Sequence, residues 1–208
     1  MPTLRLAPGD DLEPFVAALE AGGAALIPTD TVYGLACAAA LPDACERMVG
    51  LKGRDLSKPT SIIAASLDRV LATVLPELGG RAGSQARRLL PGPVTLVVPN
   101  PAGRLAWLCG DDPTRIGLRV PVLDPALAAV IDRVGAVAAT SANMAGGPDP
   151  ASLGEVPELL RARVAVSFDT GPTPGGVPST VIDLTGPEPV ILRQGPLSEA
   201  QLRTLLVD

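Results

Sequence analysis

The 208-residue chain is 47% hydrophobic but only 2% aromatic, so its core has to be built from Ala, Val, Leu and Ile. A net charge of −5 argues against a general nucleic-acid scaffold held by phosphate neutralisation. Histidine is absent, which excludes Ser-His-Asp and Cys-His catalysis and any imidazole-ligated zinc site.

Three cysteines, Cys37, Cys45 and Cys109, are odd in number and lack C-x-x-C spacing. A disulfide framework is therefore not expected, and a reducing cytoplasm is. Met1 leads into a polar segment with no basic start or apolar h-region. No apolar run approaches the roughly 18 residues that cross a bilayer. A soluble cytoplasmic protein with no membrane partner follows.

In chain order, Leu12, Phe15, Val16 and Leu19 mark an amphipathic helix stopped by Gly22-Gly23. A short buried strand, Ala24 to Ile27, ends at Pro28, which has no amide for the ladder. It opens onto Thr29-Asp30-Thr31-Val32-Tyr33-Gly34-Leu35. Polar groups crowded at a strand end suit the mouth of a ligand cleft, and equally suit a turn capped by threonine hydroxyls. Pro42 to Leu51 predicts a helix with proline in its first turn, delivering Lys52-Gly53-Arg54 and then Lys58-Pro59.

Ser61 to Ala65 reads as a strand, residues 67–75 and 82–90 as helices, and Val94 to Val98 as a strand. Residues 99–114 read as a surface loop. Ile116 to Val120 is a strand, followed by a helix capped by Asp124 with Pro125 at its first position. A small-residue strand, Ala136 to Ala139, opens onto Thr140-Ser141-Ala142-Asn143. Beyond it come a helix over 155–161, a strand over 164–168, and a turn-rich segment from Thr170 to Ser179. Strands at Thr180–Leu184 and Val190–Leu192 precede Arg193-Gln194-Gly195, and Ser198 with Gln201 forms a capping box for a last helix, Glu199 to Leu206. Several connections are too short for parallel crossovers. The expectation is a single α/β domain over 1–208, a twisted mixed sheet with packed helices around a large cleft.

Thr31, Arg119, Ser141, Asn143, Ser179, Thr180 and Arg193 all fall at strand ends. Hydroxyls, an amide and guanidinium forks suit a small polar ligand bearing carboxylate and phosphate groups. Each also has a structural alternative: Asn143 in a left-handed turn, Ser141 as a helix cap, Arg119 on a solvated edge. Lys52-Gly53-Arg54 with Lys58 makes a compact cationic cluster that fits either an anion site or a solvated charged turn. Neither a P-loop nor a G-x-G-x-x-G after a strand is present.

Seven motifs occur in order from residue 28 to 195. They are Pro28-Thr29-Asp30-Thr31-Val32-Tyr33-Gly34-Leu35, Lys52-Gly53-Arg54, Pro91-Gly92-Pro93-Val94-Thr95, Arg119-Val120-Pro121, Ser141-Ala142-Asn143, Pro178-Ser179-Thr180-Val181-Ile182-Asp183 and Arg193-Gln194-Gly195. Together they resemble the YrdC-like family of L-threonylcarbamoyladenylate synthases. The resemblance implies an enzyme that condenses L-threonine, bicarbonate and ATP, with Mg²⁺ accompanying the nucleotide and pyrophosphate released. Its product would serve threonylcarbamoylation of a tRNA adenosine through a separate transferase complex. It implies that Thr31, Arg119, Ser141 and Ser179 contact threonine, that Arg54, Lys58, Arg115, Asn143 and Arg193 contact the nucleotide, and that Lys52 and Arg54 are catalytic. No protein-held metal is implied. Lys58, Ile63, Leu90 and Ala145 stand where many members carry Asn, His, Trp and Ser. Two rival readings are an RNA-binding module without catalysis and a carbamoyl-adenylate-forming domain.

Overall fold

Two-residue alternation along the strands sends apolar side chains to both faces of one sheet. The computed structural model describes residues 3–206. Met1 and the outer limits of the 1–208 domain lie outside the described residues. Ten strands are described: β1 (Leu4–Leu6), β2 (Ala25–Ile27), β3 (Gly34–Ala38), β4 (Ser61–Ile63), β5 (Val94–Pro99), β6 (Arg115–Arg119), β7 (Val137–Ser141), β8 (Val166–Phe168), β9 (Thr180–Asp183) and β10 (Val190–Arg193). Seven helices pack on them: α1 (Glu13–Glu20), α2 (Pro42–Leu51), α3 (Leu67–Arg69), α4 (Gly80–Leu89), α5 (Pro125–Val134), α6 (Glu158–Arg161) and α7 (Glu199–Leu206). A π-helical turn, Val70–Val74, continues α3.

The strands form one mixed sheet in the order β1-β8-β2-β3-β7-β4-β6-β5-β9-β10. Its centre is antiparallel, with β3 between β2 and β7, and β4 pairs with β7 antiparallel and with β6 parallel. Leu26, Leu35, Cys37, Ile62, Ala138, Leu118, Leu96 and Ile182 point to one face, joining Met48 of α2, Ala86 of α4 and Leu202 of α7. The alternate residues Ala25, Ile27, Ala36 and Val137 point to the other, where Phe15, Val16 and Leu19 of α1 meet Leu127, Val130 and Ile131 of α5. Phe15 and Phe168 meet there edge to face with centroids 6.4 Å apart.

Local chemistry accounts for the helix ends. Asp124 accepts from the Ala126 amide at 2.9 Å ahead of α5. At α7, Ser198 N donates to Gln201 Oε1 at 2.8 Å while Gln201 N donates to Ser198 Oγ at 3.3 Å, a closed capping box. All three cysteines are free thiols, with Cys37 and Cys45 in buried contact at 3.5 Å. The α1–α5 layer covers only part of its face. At its edge, Ile63 and Ala139 belong both to that layer's core and to the floor of a cavity.

Candidate active site

The loop between β2 and β3 is stitched by one hydroxyl. Thr29 Oγ1 donates to Val32 O at 2.7 Å and accepts from the amides of Thr31 and Val32 at 3.2 and 3.3 Å. That turn carries Asp30 and Thr31 to the end of β6. There Arg119 Nη2 donates to Asp30 Oδ1 at 2.8 Å and to Thr31 Oγ1 at 3.0 Å. The second Asp30 oxygen accepts from the Val122 amide at 3.1 Å, just past the Pro121 that ends the strand. Arg119 is only 9% exposed, and its Nε is buried with no hydrogen-bond partner. Burial lowers the Arg119 pKa, with the Asp30 carboxylate opposing it and the Arg193 charge adding to it. Burial raises the Asp30 carboxyl pKa against the pull of Arg119.

A second cluster gathers at the end of β7. The β4–β7 ladder ends at Ser61–Ala139, so Thr140 and Ser141 run on past it. Lys52 and Arg54, just beyond α2, enter the gap. Lys52 Nζ donates to Ser141 O at 2.7 Å, Asn143 Oδ1 at 2.8 Å and Thr140 Oγ1 at 3.1 Å, with Ser141 Oγ at 3.4 Å. Arg54 Nη1 donates to the same Thr140 hydroxyl at 2.9 Å, and its Nη2 to Pro59 O at 2.9 Å. Gly53 between them has φ +63°, a left-handed conformation that a side chain would strain. Burial, with the Arg54 charge beside it, pushes the Lys52 ammonium down to about 8. Asn143 Nδ2 is spent on Gly147 O at 2.6 Å and Asp149 Oδ1 at 3.2 Å. Its backbone is not left-handed: among the described residues the one non-glycine with positive φ is Leu105.

The third cluster lies across β5, β9 and β10. Ser179 Oγ pairs with Thr95 Oγ1 at 2.8 Å, and Arg193 holds the Ser179 carbonyl through Nε at 3.1 Å and Nη2 at 2.8 Å. Arg115, at the start of β6, pairs with Asp112 at 2.8 Å and Asp183 at 3.4 Å and is half-exposed.

These clusters surround one cavity of about 910 Å³. Its wall carries Lys52, Arg54, Lys58, Arg115, Arg119 and Arg193, together with Ser141, Asn143 and Ser179. Thr31 is brought to the site but not to its wall: it is fully buried, its hydroxyl behind Arg119. Three residues with no role in the sequence reading are central to the geometry. Thr140 receives both Lys52 and Arg54, Thr95 backs Ser179, and Asp30 holds Arg119. Thr95 and Asp30 stand inside motifs and Thr140 directly precedes one, but composition alone does not distinguish a wall residue from its support. Among the described residues no group of three or more His, Cys, Asp or Glu side chains is placed to hold a metal ion.

Residues 17–195 match the Sua5/YciO/YrdC family, described as "Telomere recombination". A putative threonylcarbamoyl-AMP synthase of Mycobacterium tuberculosis is 35% identical over 191 residues, covering 92% of this chain and 87% of the relative. The threonylcarbamoyl-AMP synthase of Pyrococcus abyssi is 39% identical over 178 residues, covering 84% of this chain but 51% of the relative. The crystal structure of P. abyssi Sua5 complexed with L-threonine superposes with a TM-score of 0.85 at 30% identity, covering 99% of this chain and 61% of that one. The chain thus spans about half to three fifths of the P. abyssi protein. E. coli YciO shares the fold, with a TM-score of 0.79 at 24% identity over 94% of this chain.

Proposed function

The chain belongs to the Sua5/YciO/YrdC family, and from that premise we propose that it is a threonylcarbamoyl-AMP synthase, joining L-threonine, bicarbonate and ATP with release of pyrophosphate. The observation that carries the reading is the buried Arg119 guanidinium on the cavity wall, held on one side by Asp30 and Thr31, with further cations on the same wall. A guanidinium fixed in this way suits a carboxylate, which it can grip with two parallel hydrogen bonds.

In this reading Arg119 takes the threonine carboxylate, and Ser141 and Ser179 offer hydroxyls nearby on the wall. The triphosphate lies against Arg54, Lys58, Arg115 and Arg193, whose forks and point charge suit phosphate oxygens. Asn143, already fixed by Lys52, borders the same space. The threonine amine forms a bond to the bicarbonate carbon with loss of water, giving a carbamate. A carbamate oxygen then bonds to the α-phosphorus as the bond to the β-phosphate oxygen breaks and pyrophosphate departs. Lys52 keeps the Thr140–Asn143 turn in shape and, with Arg54, offsets the negative charge that gathers there.

Mg²⁺ accompanies the nucleotide in this proposal. It accepts one or two carboxylates beside phosphate and water oxygens, and Asp111 and Asp149 on the wall are donors of that kind. The ion's chemistry is to offset triphosphate charge as pyrophosphate leaves. The product then passes to a separate transferase acting on tRNA. No helix among the described residues is long and apolar enough to cross a membrane.

The test is pyrophosphate release from ATP with threonine and bicarbonate omitted in turn. Turnover is expected only with both present. Equal release without threonine overturns the assignment.

A further inference from the structure

Asp30 is absent from the cavity wall, yet both its oxygens are committed at the cavity's edge. One accepts from Arg119 Nη2 and the other from the Val122 amide, so the carboxylate is fixed by two donors that flank Pro121. Its side chain and that of Arg119 are each 11% exposed. A buried pair of this kind gives little net stability, because desolvating two charges offsets most of their attraction. The pair nevertheless stands at the cavity, with Arg119 on its wall and both contacts from Asp30 and Thr31 falling on one nitrogen, Nη2.

We propose that Asp30 is a positioning residue for amino-acid recognition, holding the Arg119 guanidinium from behind the cavity wall so that its remaining donors meet the substrate carboxylate. The proposal rests on the threonylcarbamoyl-AMP synthase reading and deepens it. Thr31 shares this role, its hydroxyl taking the other contact of Nη2. Together they fix the plane of the guanidinium, which a single contact would leave free to swing about it. Thr29 in turn keeps the loop that carries both residues in register with the end of β6.

The test is a double-mutant cycle on threonine-dependent pyrophosphate release, with thermal melting run on every variant to establish that it is folded. Asp30→Ala is expected to raise the KM for threonine by about tenfold or more, the loss of one charged hydrogen bond, and to leave the KM for ATP within about twofold. In an Arg119→Ala background, Asp30→Ala is expected to add less than about twofold to the threonine KM, because its target is gone. Asp30→Asn, which keeps an acceptor for Nη2, is expected to fall between parent and Asp30→Ala. Equal losses for both substrates, additive losses in the double mutant, or a threonine KM that is unchanged or lowered would each overturn the proposal. If Asp30→Ala does not fold, Asp30→Asn measured in both backgrounds decides by the same additivity criterion. A parent protein whose turnover ignores threonine instead overturns the functional reading itself, and this proposal with it.

Discussion

Lys52 hands its ammonium to oxygens of Thr140, Ser141 and Asn143, so its charge is spent on shaping a turn as well as on any ligand. Burial lowers that ammonium from its ordinary 10.5 to about 8. Between those two values the unfolded chain binds more protons than the folded one. Stability from this group therefore rises as pH climbs from about 8 toward 10.5, and the cost of burying the ammonium is fully present below about 8. Activity runs the opposite way. As pH rises through about 8 the charge is lost, so kcat/KM is expected to fall, and Lys52→Arg is expected to remove that limb from the pH–rate profile. Lys52→Ala is expected to lower turnover by about 10²–10³, the usual loss for one preorganised electrostatic contact. Arg119→Lys separates charge from geometry. It is expected to weaken threonine binding by about 1–3 kcal/mol with ATP affinity nearly unchanged, read by calorimetric titration of each substrate. An equal loss for ATP would move Arg119 to the phosphate side.

At the scale of the element, the strap over residues 54–60 holds Lys58 against the cavity. It is shaped by Asp55, whose carboxylate accepts from the Ser57 amide at 2.9 Å, and it is tied down where Thr60 N donates to Leu108 O at 2.8 Å. Gly110, at φ +65°, lies so close that a Cβ there would sit 2.2 Å from Ser57 O. Gly110→Ala is expected to cost about 1–3 kcal/mol in chemical denaturation, as overpacking does, and to raise the KM for ATP more than that for threonine. Strongly patterned elements were legible in the sequence: α1, α2, α5 and α7 lie where periodicity, proline and the capping residues of Asp124 and Ser198 put them. The misses have physical causes. β3 is Gly-Leu-Ala-Cys-Ala, a run with little strand propensity that pairs because both its neighbours and both its faces bury it. β1 buries only Leu6 of its three residues, so no alternation betrays it. Of the cations on the cavity wall, Lys52, Arg54, Arg119 and Arg193 stand inside the motifs, whereas Lys58 and Arg115 do not. Their supports were not legible, since Thr140 and Thr95 matter through distances that no spacing in the chain expresses.

Across the whole molecule, one sheet serves both as core and as cavity floor. From β4 through β6 and β5 to β9, Ile62, Leu118, Leu96 and Ile182 pack into the apolar layer, while Ser61, Gly117, Val97 and Val181 line the cavity. Ligands that fill the cavity should therefore stiffen the sheet as a unit. Saturation at about 100 times Kd adds about 2.7 kcal/mol to unfolding, so ATP and threonine are expected to raise the melting temperature measurably. The buried Asp30–Arg119 pair has the reverse effect, because desolvating its two charges offsets most of their attraction. It is durability withheld in exchange for recognition, and substitution can release it. Replacing both partners together by apolar residues, Asp30→Leu with Arg119→Met, is expected to harden the fold against denaturant by about 1–4 kcal/mol while threonine-dependent turnover disappears. Arg119→Met alone, which strands the buried Asp30 carboxylate, is expected to soften it. The most heat-resistant version of this chain and the working version are thus different sequences, and the divergence begins at residues 30 and 119.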